Sequence, residues 1–249
     1  MSEIPASRWK LDEVYDPDVS RAGTINTRFG SFLEQVDGID WRTLRISPRE
    51  ARFMDPQHRL LLELSWEALE DAGLPFEKVA RTRTGVYVGI KWNDYAKLQA
   101  LRPAGIDSST VSGGEIALAA NRISYQFDLV GPSVALDVGC ASSLVALHLA
   151  CNGILSGETE CALAGGVNLM LALDSFIGAS KANLLAPDGR CKMFDAAADG
   201  YVRAEGGGLV VLKSLERALA DGDRIRGVIR GSAVMHNGRT EWIIASSPE

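Results

Sequence analysis

The sequence predicts an α/β layer architecture, on three observations. Apolar runs of strand length alternate along the chain with longer stretches of helical periodicity. Gly and Pro punctuate the boundaries between them. The 249 residues contain no internal repeat and no low-complexity linker, so one lobe is the simplest account.

Each element follows from its own pattern. Pro56 to Ala72 reads as an amphipathic helix, with Leu60, Leu61, Leu64, Ala68 and Leu69 as its stripe and Gly73 as its stop. Thr84 to Ile90 reads as a buried strand and Glu115 to Phe127 as a helix. Gly131-Pro132 breaks the chain before a second apolar strand, Val134 to Val138, and Ser142 opens a helix rich in Leu and Ala. Cys161 to Leu171 is the next strand, where Gly165-Gly166 allows a bend or close backbone approach. Gly206 to Leu212 and Ile225 to Val234 read as strands, joined by a helical turn from Ser214 to Ala220 and the bend Asp221-Gly222-Asp223.

The turn Gly139-Cys140-Ala141 carries the most chemistry. It places one thiol between a strand and a helix start, where the macrodipole favours the thiolate. Ser142 and Ser143 are placed to cap the new helix, small neighbours admit a substrate carbonyl, and backbone N–H groups are available for its oxyanion. On spacing alone a nucleophile and an ordinary buried cysteine are equally good readings.

The surrounding residues favour the nucleophile. Asp137-Val-Gly-Cys-Ala-Ser-Ser-Leu-Val-Ala146 resembles the active-site stretch Asp-Thr-Ala-Cys-Ser-Ser-Ser-Leu-Val-Ala of β-ketoacyl synthases, specifically the ketosynthase domains of modular polyketide synthases. Ile46-Ser-Pro-Arg-Glu-Ala51, Met54-Asp-Pro-Gln-His-Arg-Leu-Leu-Leu-Glu63, Gly85-Val-Tyr-Val-Gly89, Ala120-Asn-Arg-Ile-Ser-Tyr125, Ala164-Gly-Gly-Val-Asn168 and the block Pro187 to Arg203 follow in that family's order. Val138, Gly139 and Ala141 replace the usual Thr, Ala and Ser, His58 stands where a second Gln is usual, and Met235-His-Asn-Gly238 replaces Asn-Gln-Asp-Gly.

The resemblance implies a thiolase-like fold, here its N-terminal lobe, a layered α-β-α arrangement over residues 1–249, lacking the first strand and the C-terminal lobe. That strand is expected in the middle of the sheet, where its loss leaves unpaired backbone. The resemblance also implies an acyltransferase: an acyl chain held on Cys140 for decarboxylative Claisen condensation with a malonyl-type extender on a carrier protein. Two downstream histidines, the first in His-Gly-Thr-Gly-Thr, assist that reaction in the family, and the sequence ends at Glu249 before either. His58 lies in the opening helix, His148 two turns past the cysteine and His236 in a Gly/Asn turn, so none replaces them by pattern and the chain alone is expected to be inactive in condensation. A truncated remnant or dimerisation scaffold, and one half of a split synthase, are the alternatives. Phe194 is a candidate for the acyl channel against an ordinary core aromatic, while Asp195, Asp199 and Glu205 read as braces of a loop.

Composition bounds the partners. A formal net charge of −6 gives no nucleic-acid footprint. An acidic acyl carrier protein therefore needs a local basic patch, for which Arg190, Lys192, Arg203, Arg224, Arg226 and Arg230 are candidates, each also readable as a scattered solvated charge. Phosphopantetheine enters as the carrier's substrate tether, with no cofactor of the domain itself. The four cysteines lack metal-ligand spacing and read as free thiols of a reducing cytoplasm, and no apolar run has the length of a membrane span. The resemblance further implies a homodimer formed through the strand Ser133 to Val138, with Ser108 to Ala120 near the two-fold axis, beside the remaining synthase domains.

Overall fold

The structure is a computed structural model, and it describes residues 1–241. In chain order the helices are α1 (Leu11–Val14), α2 (Pro48–Phe53), α3 (Pro56–Asp71), α4 (Phe76–Val79), α5 (Asp94–Ala100), α6 (Ser108–Gly114), α7 (Leu118–Gln126), α8 (Ser142–Leu155), α9 (Asp174–Lys181) and α10 (Leu215–Asp221). The strands are β1 (Ser2–Glu3), β2 (Phe29–Gly30), β3 (Thr84–Gly89), β4 (Ser133–Leu136), β5 (Cys161–Asn168) and β6 (Gly206–Lys213).

Four strands form the main sheet in the order β4-β3-β5-β6, parallel except for β6, which runs antiparallel to β5. Alternation along the strands sorts the side chains into two layers. Val86, Val88, Leu163 and Val167 face the α3 and α7 side, where Leu61, Leu62, Leu69, Ala120 and Ile123 complete the largest core cluster. Tyr87, Ala162 and Ala164 point the opposite way, onto Ala146 and Ala150 of α8. The α-β-α layering implied by the family resemblance is therefore present. A third cluster, Ile4, Ile25, Met170, Phe176 and Leu185, ties the N-terminal segment to α9, with Trp9 edge-on to Phe176 at 5.5 Å.

Local chemistry explains the helix ends. Asp55 accepts from Gln57 N at 2.8 Å and Pro56 occupies the first turn of α3, while Ser214 caps α10 and Gly222 closes it at φ +70°. The buried face of α3 carries His58, Leu61, Leu62, Ser65 and Leu69. The expected stripe members Leu60, Leu64 and Ala68 lie half-buried on its flank, and Leu64 reaches toward Gly207 of β6.

Three sequence expectations are corrected. Glu115 to Phe127 is not one helix, because Glu115 adopts an extended conformation that ends α6 before α7 starts. Ile225 to Val234 forms no strand: among the described residues it has no ladder partner, and a strand needs one. The segment instead lies exposed along the surface, anchored by Arg224 and Arg226, each 2.7 Å from Asp71. The sheet also has no interior gap, since β3 and β5 pair directly over six residues and satisfy the backbone groups expected to be orphaned.

Candidate active site

The parallel strands β3, β4 and β5 end on one edge of the sheet, the position where open α/β sheets gather ligands. The turn after β4 holds Cys140 at this edge. Gly139 adopts φ +72°, a left-handed conformation that glycine takes without steric cost, and its N–H donates to Asp137 Oδ1 at 2.9 Å. Ser142 does not cap α8 as expected. Its hydroxyl turns back to donate to Gly139 O at 2.6 Å and accepts from Val138 N at 3.0 Å, because Ala141, already helical at the N-cap position, leaves no side-chain cap. One hydroxyl thus locks the cysteine turn onto the helix start. The N–H groups of Ser143 and Leu144 have no partner among the described residues, as a first helical turn leaves them.

Cys140 is exposed, and its thiol has no hydrogen-bond partner among the described residues. The other three cysteines sit differently. Cys161 is buried in β5, which pushes its thiol up to about 11, and partial burial raises that of Cys151 on α8. Cys191 is half-buried, and its Sγ accepts from Val202 N at 3.2 Å.

None of the histidines reaches Cys140. His58 lies buried in α3, where desolvation and then the Arg122 charge push its imidazole down to about 3. His148 is held on α8 between Asn152 Nδ2 at 2.9 Å and Ser232 Oγ at 2.8 Å. His236 is exposed and accepts from Gly238 N at 2.9 Å, which is the turn geometry its neighbours predict.

Phe194 does not line a channel in this arrangement. It projects fully into solvent at φ +62°, a conformation rarely adopted by a bulky residue. The cavity of about 240 Å³ beside Leu33, Ile39, Pro56, Leu60 and Leu169 is lined by neither Phe194 nor Cys140. The neighbouring carboxylates do brace their surroundings. Asp199 and Asp188 hold Lys192 at 2.6 and 2.9 Å, and Asp195 accepts from Ala197 N. Buried Glu205 accepts from Arg8 and from the N–H groups of Leu33 and Met170.

The basic candidates divide sharply. Arg203 is buried, donating to Ser175 O and stacking against Trp92 and Phe176, so it is withdrawn as a docking residue. Lys192, Arg224 and Arg226 are engaged by carboxylates, whereas Arg190 and Arg230 remain exposed and unpaired among the described residues. Sequence reasoning missed Asp94. This buried carboxylate, five residues past the end of β3, accepts from Leu171 N and Ala172 N and so ties the segment after β3 to that after β5. Only its place just after a strand marks it in the sequence. No group of three or more potential metal ligands converges among the described residues, and no helix there is long and apolar enough to cross a membrane.

The sequence profile of the β-ketoacyl synthase N-terminal domain matches residues 1–218. Two subunits of the phenolphthiocerol/phthiocerol polyketide synthase of Mycobacterium tuberculosis are similar to this chain over 245 residues, one at 46% identity and the other at 48%. Each match covers 98% of this chain but only 16% and 13% of those relatives' lengths, respectively. Among solved structures, the ketosynthase from module 6 of the bacillaene synthase of Bacillus subtilis superposes with a TM-score of 0.89 at 38% identity, covering 98% of this chain and 40% of that one. An oxazolomycin ketosynthase domain of Streptomyces albus gives the same TM-score at 42% identity, covering 96% and 42%.

Proposed function

The chain belongs to the β-ketoacyl synthase family, and from that premise we propose that Cys140 is the acyl-accepting nucleophile of a polyketide-type condensing enzyme. The single observation that carries this reading is an exposed thiol, locked by Ser142 at the start of α8, at the carboxyl ends of the parallel strands β3, β4 and β5.

The chemistry follows from that placement. The Cys140 thiolate adds to the carbonyl carbon of an acyl thioester, and the unpartnered N–H groups of the first helical turn are available to the developing oxyanion. Collapse expels the carrier's phosphopantetheine thiolate and leaves the acyl group on Cys140. In the second half-reaction a malonyl-type thioester loses CO2, its carbanion attacks the acyl carbonyl, and the Cys140 thiolate departs. The product is a β-ketoacyl thioester on the carrier. The described residues bring no imidazole to the thiol, so groups outside them assist the decarboxylation.

Partners follow the same reading. The acidic carrier protein delivers both thioesters, with Arg190 and Arg230 as its remaining basic candidates. Among the described residues the outer edge of β4 is unpaired, which supports a homodimer joined strand to strand across it. The test is incubation with acyl- and malonyl-carrier protein followed by intact-mass and product measurement. An acyl adduct on Cys140 without β-ketoacyl product is expected. No adduct under any loading condition contradicts the nucleophile, and a β-ketoacyl product from this chain alone contradicts the need for outside groups.

A further inference from the structure

We propose that Gly89 and Gly166 are positioning residues for Cys140: their missing side chains form the notch in which the first turn of α8 seats. The proposal rests on the acyl-accepting role of that thiol. Strand register places Leu136 of β4, Gly89 of β3, Gly166 of β5 and Gly208 of β6 in one row across the sheet, beside the turn that carries Cys140.

Space alone requires glycine at the two central positions. Neither has a left-handed φ, so their backbone is open to any residue. A β-carbon on Gly89 would lie 2.6 Å from both the carbonyl carbon of Ser142 and the N of Ser143, and 2.8 Å from Ser142 Cβ. Two of those atoms are helix backbone, which no rotamer change moves. A β-carbon on Gly166 would lie 2.9 Å from Gly89 O and 3.1 Å from Ser143 Cβ. At Gly89 the atoms that fill the notch therefore belong to Ser142 and Ser143, whereas at Gly166 the nearest is Gly89 O of the neighbouring strand and Ser143 Cβ comes second. Ser142 is the residue whose hydroxyl holds the cysteine turn through Gly139 O and Val138 N. Lifting it displaces the thiol and the first-turn N–H donors together, with little slack because interiors are close-packed.

Other glycines on these elements serve different contacts and provide controls. A β-carbon on Gly153, near the far end of α8, would meet Tyr87 Oη at 2.7 Å, away from the first turn. It crowds the same helix against the same strand without touching Ser142 or Ser143.

The experiment measures acyl loading of the full chain from a small acyl-N-acetylcysteamine thioester, with Cys151 alkylation in the same samples as a gauge of α8 integrity. Because misplacing a reacting group by about an ångström costs about 10²-fold, Gly89→Ala is expected to slow loading by about that factor. Gly166→Ala is expected to slow it about tenfold, and Gly153→Ala by less than about threefold. Ser143→Gly removes the side-chain atom facing Gly166. Added to Gly166→Ala it is expected to recover part of the loss, since the contact with Gly89 O remains, and added to Gly89→Ala, whose clash with α8 is with helix backbone, to recover none. Cys151 alkylation is expected to stay within about twofold throughout. The proposal is overturned if Gly89→Ala and Gly166→Ala slow loading no more than Gly153→Ala, or if Ser143→Gly rescues neither. Should Gly89→Ala fail to fold, the Gly166–Ser143 pair decides alone. A wild-type chain that does not load at all overturns the acyl-accepting reading itself, a result distinct from a loading chain indifferent to its glycines.

Discussion

The two faces of the sheet are built from different residues for different ends. On the α3 and α7 side, Val86, Val88, Leu163 and Val167 meet Leu61, Leu62 and Ile123, which bury large aliphatic area and supply cohesion. On the α8 side, Ala146, Ala150, Ala162 and Ala164 meet around Tyr87, and the helix lies close to the strands. The fully buried residues there are mostly alanines, which let the helix start sit close to the strands, and the helix start holds Cys140. The outward face of α8 keeps Leu144 and Leu155 exposed, at 70% and 84%. Cohesion lies on one side of the sheet and placement on the other.

The comparison breaks if a change on one face produces the other face's effect. The largest expected effect is Cys140→Ala, which removes acyl loading by about 10³-fold or more while leaving the thermal midpoint unchanged, because the exposed thiol supports no core contact. Calorimetry and intact mass on one preparation check both halves. On the opposite face, Ile123→Ala opens a cavity beneath the sheet and is expected to cost about 2–5 kcal/mol in denaturant unfolding. Loading per folded molecule is expected to be unaltered.

A smaller effect concerns two buried groups at the start of α3. Burial pushes the His58 imidazole down to about 3, so on acidification the unfolded chain takes up a proton near pH 6.5 that the folded chain refuses until about 3. Stability is lost through that window, at up to about 1.4 kcal/mol per pH unit. Burial pushes Asp55 the other way, to about 6, so the folded chain is protonated first and gains stability as pH falls from 6 toward 3.8. The two oppose each other between pH 6 and 4. Asp55→Asn keeps the helix cap and exposes the histidine loss, giving a steeper acid limb in urea titrations, whereas His58→Gln flattens or inverts it. Identical limbs in all three proteins would contradict the burial argument.

A charge on the open strand, Leu136→Lys, is expected to shift self-association toward monomer, read by light scattering at micromolar concentration. An assembly unaffected by it would place the partner elsewhere. Smallest of all, Phe194→Ala is expected to change stability by less than about 0.5 kcal/mol, since the ring touches solvent alone.

Much of this is legible in the chain, and the failures share a cause. The strands Thr84 to Gly89 and Cys161 to Asn168 and helices α3 and α8 are readable because local periodicity decides them. The strand expected at Ile225 to Val234 fails because β structure depends on a neighbour that a single segment does not contain. Cys140 stands out by its small-residue turn. Ser142 stands out too, but its bond does not, since both a cap and a backward turn satisfy a helix-start serine and the helical Ala141 decides between them. Asp94 and the burial of Arg203 are invisible, because their partners Leu171, Ala172 and Ser175 lie far away in sequence.

The central claim, that the α8 side of the sheet sets one thiol apart, is tested most directly by timed iodoacetamide labelling of the folded chain near neutral pH, with each adduct mapped by mass spectrometry. The account predicts that Cys140 is modified first, that Cys151 and Cys191 follow, and that buried Cys161 lags by about tenfold or more. Equal rates at all four sites, or Cys140 behind any of the others, would contradict it.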